Sequence, residues 1–259
     1  MGCYSRTIYQ YSIKDIKIRN IKQVKDTMNT NIPRFIIVAG DVGAGKTTTS
    51  GLLYLYFLRK KIQIRYLYPK SFGAMEPLLK ILAILAVPKE IRDYFYSRGA
   101  RSGAVIEGAW KQGLKKLMPI LFVLDLLSFV LYDLLLVKIP AILGSITILE
   151  EYILGFMADY IYFYYNKLCS KNITNVVLII LVKLLPRDAI ILYLSAPYNE
   201  LRSRWYQRQS IPVNKIYIAS QRISVAILKS IQYKYKIKSF NTVLPLREVL
   251  KGVLSLIMS

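Results

Sequence analysis

Arg34–Lys61 runs RFIIVAGDVGAGKTTTSGLLYLYFLRKK. Arg34–Ala39 opens it as a short apolar run of the kind a buried parallel strand leaves in a sequence. Gly40–Thr47 then satisfies G-x-x-x-x-G-K-[ST]. Such a loop, set between a strand and a helix, turns backbone N–H groups inward around a phosphate chain. Lys46 brings a point charge to the β- and γ-phosphate oxygens, and the Thr47 hydroxyl reaches a magnesium ion. A helix is expected from Lys46 to about Arg59, with its positive end aimed at the same anion. Gly40, Asp41, Val42, Gly43, Ala44, Gly45, Lys46, Thr47 and Thr48 are therefore the expected nucleotide-binding residues, with ATP and Mg2+ as ligands.

Beyond this loop, short apolar runs alternate with helical stretches. KIQIRYLYP, SITILE and DAIILYLS read as further strands, and KSFNTV as a short last one. EYILGFMADYIYFYYNKL, TNVVLIILVKLL, NELRSRWYQRQS, IASQRISVAILKSIQYKYK and LREVLKGVLSLI read as helices, and residues 75–135 as mostly helical. Strands covered on both faces and separated by helices imply an α/β fold with a doubly wound parallel sheet. One domain is expected over 28–259. Residues 1–27 carry six basic residues and two acids with weak periodicity, and read as a basic extension. Met28 opens MNTNIPRFIIVAG, a stretch like the beginning of a compact P-loop protein, so a start there and an ordinary added helix are equal readings.

The chain has 37 Lys and Arg against 15 acids, a formal net charge of +22. That balance favours anionic partners without choosing among nucleotide, nucleic acid and acidic membrane. Histidine is absent, which excludes Ser-His-Asp and Cys-His catalysis and His-based metal sites. Cys3 and Cys169 have no CxxC spacing and read as thiols in a reducing, cytoplasmic interior. The first residues, MGCYSRTIYQ, lack a signal-peptide core, and Arg6 breaks the myristoylation pattern. The best candidate for a membrane span is Leu117–Leu143, but Asp125 and Asp133 interrupt it, each at roughly 2.5–3.5 kcal/mol at a bilayer centre. Asp125, Ser128 and Tyr132 instead form one polar stripe on a helix. No transmembrane span is expected.

Further motifs occur in an order that resembles thymidylate kinase, within the P-loop nucleoside-monophosphate kinase family, over about residues 34–257. AGDVGAGKTTTSGLL is similar to that family's E-G-x-D-G-x-G-K-T-T loop. LFVLDLLSFVLYDLLL resembles its L-F-x-A-D-R helix, and ITILEEYILGFMADY its strand ending in D-R-Y/H. PRDAIILYLSAPYNELRSRWYQR resembles P-D-x-x-I-x-L-D-x-P-P-E-x-A-x-x-R-x-x-x-R, with Pro197, Arg204 and Arg208 on the family's proline and two arginines. The resemblance implies transfer of the γ-phosphoryl of Mg-ATP to dTMP, a possible homodimer, and a lid over ATP formed by Leu201–Phe240. That segment holds nine Lys/Arg and no acid, as a site that aligns two polyanions requires. Arg204 and Arg208, at i and i+4, are the expected catalytic cations. As a plain charge run they read as a solvated basic face.

The departures fall mainly on the acceptor side. The loop acid stands at Asp41, one place early, with Val42 in its position. Leu126 replaces the helix arginine and Ser195 the later strand aspartate. The D-R pair becomes Glu150-Glu151. Glu150 is the expected magnesium partner beside Thr47. Lys70, Asp125 and Glu151 are the expected acceptor-site residues, with Arg65 an alternative to Lys70. Partition-type ATPases carry a signature lysine where this chain has Asp41, which weighs against a membrane- or nucleic-acid-associated ATPase. The other alternative is a relative that binds or hydrolyses ATP without phosphorylating an acceptor.

Overall fold

A computed structural model of the chain describes residues 32–69, 123–165, 167, 170–209, 214–230 and 235–258. The chain divides into two units, Met1–Asn31 and Ile32–Ser259. All that follows concerns the second.

Five strands form one sheet: β1 (Phe35–Gly40), β2 (Ile64–Leu67), β3 (Ile146–Glu150), β4 (Ile190–Ser195) and β5 (Lys236–Asn241). Their order is β2-β3-β1-β4-β5 and every pairing is parallel. β1, at the centre, is buried at all six positions, which explains its unbroken apolar run. β2 and β5 are edges, half-buried and partly exposed, and their sequences are correspondingly mixed. β5 begins two residues before the expected KSFNTV segment.

The helices are α1 (Lys46–Arg59), α2 (123–142), α3 (Tyr152–Tyr165), α4 (Lys171–Leu184), α5 (Tyr198–Gln209), α6 (Lys215–Ser230) and α7 (Leu246–Met258). From β1 the chain steps toward β2; after β3 it crosses β1 to reach β4. Right-handed crossovers in opposite directions put α1 on one face and the helices after β3 on the other. α1 packs on β1, β2 and β3, whereas α3 packs on β1, α4 and α6. The carboxyl ends of β1 and β3 stand where the direction of winding reverses, the usual ligand crevice of an open parallel sheet.

Local sequence sets several helix ends. Ser170 caps α4, its hydroxyl accepting from the Ile173 N–H at 3.4 Å. Leu185 turns extended before Pro186 and stops the same helix. α2 widens to a π-helix over Asp133–Lys138, which brings i and i+5 together: Lys138 Nζ lies 2.8 Å from the Asp133 carboxylate.

α2 corrects the expected polar stripe. The buried line is Asp125, Phe129, Asp133, Val137 and Ala141, spaced by four, while Ser128 and Tyr132 are only half-buried. Phe129 packs on Tyr152 and Phe156 of α3, with ring centroids 5.6 and 4.3 Å away. Tyr160 donates to Asp125 at 3.2 Å and Tyr152 to Asp133. The opposite face exposes Val123, Leu127, Leu131 and Leu135. Among the described residues no helix is long and apolar enough to cross a membrane. The helices expected within 70–122 lie outside the described residues, as does Lys70.

Candidate functional site

The loop leaves the sheet where β1 ends against β4. The Asp41 N–H donates to the Leu194 carbonyl at 2.9 Å. Gly40 has φ of 152°, and a Cβ there would sit 2.0 Å from that same carbonyl oxygen. Only glycine fits this approach. Gly43, with φ of 82°, lies against the start of α5, where a Cβ would be 3.2 Å from the Leu201 carbonyl oxygen.

Three loop amides are committed inside the fold. Asp41 N–H is taken by Leu194, Val42 N–H by the Gln221 side chain at 2.9 Å, and Ala44 N–H by the Asp41 carbonyl at 3.1 Å. The N–H groups of Gly43, Gly45, Lys46, Thr47 and Thr48 have no acceptor among the described residues, and no side chain caps α1. Four of these, Gly45–Thr48, follow one another at the N-terminus of α1, the arrangement by which helix ends bind anions.

The Asp41 side chain faces away from this cup. It is fully buried, accepts from the Tyr193 hydroxyl at 2.6 Å, and is gripped by Arg222 Nε and Nη2 at 3.2 and 2.9 Å. Arg222 also donates to the Ala196 carbonyl at 3.0 Å. Burial, reinforced by the Asp41 charge, raises the Tyr193 phenol well above its ordinary value. The hydrogen bond to Asp41 raises the Arg222 guanidinium. Asp41 therefore anchors the loop to β4 and α6. Gln221 and Arg222 were missed by sequence reasoning; their only signal is their place in the acid-free basic segment.

Lys46 is nearly buried, and its ammonium is fully engaged. It donates to the carbonyls of Gly40 at 3.0 Å and Asp41 at 2.9 Å, and pairs with Glu151 Oε1 at 3.1 Å. Thr47 donates its hydroxyl to Glu150 Oε1 at 2.6 Å. Register explains the meeting: Glu150 ends β3 level with Val38, two residues before the loop begins. Two tyrosines at the end of β2 complete the cluster. Tyr66 donates to Glu150 Oε2, and Tyr68 to Glu151 Oε2 at 3.1 Å.

The backbone at this corner is unusual. Glu151 has φ of 62° and Tyr152 φ of 30°, both left-handed without being glycine. Such a conformation persists only where its surroundings impose it. The Glu151 N–H is tied to Val38 O at 2.9 Å, and its carbonyl accepts from Gly155 N–H at 2.8 Å.

Other expected residues lie apart from this cluster. Arg204 pairs with Glu200 at 2.8 Å and donates to the Thr242 carbonyl at 2.9 Å, tying α5 to the turn after β5. Arg208, one turn on, is exposed. Among the described residues no hydrogen bond joins either arginine to the loop. Asp125 is buried against α3, and Arg65 donates to the Leu136 carbonyl at 3.2 Å. Glu150, expected as magnesium partner or solvated strand-end acid, is buried beside Thr47.

The donors at Thr47 and Glu150 are all oxygen, which suits magnesium; that ion takes one or two protein carboxylates plus phosphate and water. Among the described residues no group of three or more metal-ligating acids, histidines or cysteines occurs, and a magnesium of this kind requires none. No protein-family model matches the chain, and no curated protein matches it.

Proposed function

We propose that the chain is an ATP-dependent phosphotransferase of the nucleotide-kinase type. The observation that carries this reading is the set of open N–H groups of Gly43 and Gly45–Thr48 after the carboxyl end of β1, beside Lys46 and the Thr47–Glu150 pair. The N–H groups hold the β-phosphate, and Lys46 exchanges Glu151 and the loop carbonyls for phosphate oxygens. Thr47 and Glu150 would hold magnesium, which would supply positive charge to the phosphates. The resemblance to thymidylate kinase supplies the donor chemistry, a lid contributed by Leu201–Phe240, and dTMP as the acceptor to test first. A homodimer and a cytoplasmic location belong to the same reading.

The test is MgATP binding by titration calorimetry, followed by ADP release with a panel of nucleoside monophosphates. Lys46→Ala should weaken MgATP about 10- to 100-fold, as expected for a hydrogen bond to a charged group at about 1.5–3 kcal/mol. Unchanged affinity in a folded Lys46→Ala protein, or no affinity in the parent, overturns the proposal. Binding without phosphoryl transfer to any acceptor supports the nucleotide-binding relative instead.

A further inference from the structure

Tyr193 and Arg222, which hold the Asp41 carboxylate, also wall a separate cavity between α6 and the β4–β5 edge of the sheet. Its volume is about 440 Å3, within the roughly 300–1,000 Å3 of small-molecule sites. We propose that this cavity binds a small organic phosphate, which weakens the hold of Arg222 on Asp41 and so loosens the phosphate-binding loop. The site stands on its own geometry; its effect on MgATP rests on the phosphotransferase reading.

Tyr193 and Ser239 are level in the β4–β5 register, and Ser195 lies two residues beyond Tyr193 on the same face. Over that face α6 brings Arg222, Val225, Ala226 and Lys229, spaced i, i+3, i+4 and i+7. Arg222 gives Nε and Nη2 to Asp41 and Nη2 to the Ala196 carbonyl. Its Nη1 has no acceptor among the described residues, and the side chain is 47% exposed. Lys229, two turns further along, donates to Ser239 Oγ at 3.0 Å and keeps spare ammonium N–H groups. Ser195 is engaged through its carbonyl, which leaves its hydroxyl open. No acid occurs among the described residues that line the cavity. The three acceptor oxygens of a phosphate use these donors more fully than the two of a carboxylate. Val225 and Ala226, between the two cations, meet a carbon skeleton, so an organic phosphate fits better than the bare ion.

The coupling to the loop follows from Asp41. Its side chain is fully buried, and among the described residues Tyr193 and Arg222 are its partners. A phosphate on Nη1 shares the guanidinium charge and sets a second anion against Asp41. A buried carboxylate left short of its cation is costly, and the strain falls on the loop that Asp41 opens. The same loop carries the open N–H groups of Gly43 and Gly45–Thr48. Organic phosphate and MgATP should therefore oppose each other, by one factor in both directions.

The experiment titrates the full chain with a non-hydrolysable MgATP analogue by calorimetry, at rising concentrations of each probe. The probes are glycerol 3-phosphate, ribose 5-phosphate, nucleoside monophosphates, inorganic phosphate and succinate. With at least one organic phosphate, the analogue Kd should rise and then level off, about 5-fold or more above its starting value. A probe that competes for the loop itself gives a rise without limit instead. Lys229→Ala should raise the probe concentration needed by about 10-fold or more. Ala226→Trp fills the cavity from an exposed position of α6 and should abolish the effect. Each response is read as a ratio within one protein, so a change in basal affinity does not enter. A rise without limit, no response to any organic phosphate, an unaltered response in both variants, or equal action by succinate overturns the proposal. If the parent does not bind the analogue, the phosphotransferase reading falls, and probe binding is then titrated directly. Binding that both variants weaken upholds the site; binding that neither alters, or none at all, removes it.

Discussion

Tyrosine replaces histidine as the polar partner inside this molecule. Asp41, Asp125, Asp133, Glu150 and Glu151 are all buried, and each accepts a hydrogen bond from a tyrosine hydroxyl: Tyr193, Tyr160, Tyr152, Tyr66 and Tyr68 respectively. A phenol can satisfy a buried carboxylate and still bury a large apolar ring. Tyr193→Phe removes one such bond and should cost about 1.5–3 kcal/mol near neutral pH. Its pH dependence has a definite sign. Burial and the Asp41 charge raise the folded-state pKa of Tyr193 above the unfolded value of about 10. Below that pH both states hold the proton, and stability is indifferent to it. Above it the unfolded chain releases the proton while the fold keeps it, so parent stability falls as pH rises. Urea midpoints of parent and Tyr193→Phe should therefore converge above pH about 10. Gly40→Ala tests the loop's exit. Its Cβ would meet the Leu194 backbone, with a carbonyl oxygen 2.0 Å away. It should cost about 3 kcal/mol or more and abolish nucleotide binding with it.

At the scale of the element, α2 is the instructive case. Its sequence is apolar nearly all round, so periodicity could not say which face turns inward. Packing resolves it through two acids: Asp125 and Asp133 are drawn to tyrosines of α3, and Phe129 between them packs on Tyr152 and Phe156. The two faces should respond differently to mutation. Phe129→Ala opens a cavity and should cost about 3–5 kcal/mol, whereas Leu131→Ser on the exposed face should stay within about 0.5 kcal/mol. Thermal unfolding by circular dichroism separates these outcomes, and equal losses would show that the exposed face is covered.

For the whole molecule, Ile32–Ser259 forms a unit of its own, one sheet with helices over it. The chain shortened to that unit should unfold in one transition and bind MgATP as the parent does. Loss of binding on truncation would give Met1–Asn31 a part in the site. The net charge of +22 adds a long-range attraction for an anionic ligand. The association rate of MgATP should fall as salt rises from 10 to 500 mM, by stopped-flow fluorescence with an ATP analogue; a flat salt response would count against steering.

The glycine-lysine-threonine loop, the strand runs and the bounds of α1 were all legible in the sequence. Each depends on neighbours in the chain: a backbone turn that needs glycine, a contiguous apolar run, a helical period. The meeting of two side chains was legible too, since Thr47 and Glu150 were expected side by side and stand 2.6 Å apart. The rest was decided by strand order and register, which no local pattern encodes. Asp41 looked like a loop acid near the nucleotide. Its carboxylate instead meets Tyr193 and Arg222, 152 and 181 residues further on, because β4 lies beside β1 and α6 packs behind them. Arg204 looked like a cleft cation, but Glu200 one turn back and Thr242 after β5 claim it first. Glu151 looked like a damaged arginine position; only the fold, by turning β3 beside β1, sets it against Lys46. A side chain's chemistry is present in the sequence, but its partner is set by the strand and helix packed against it.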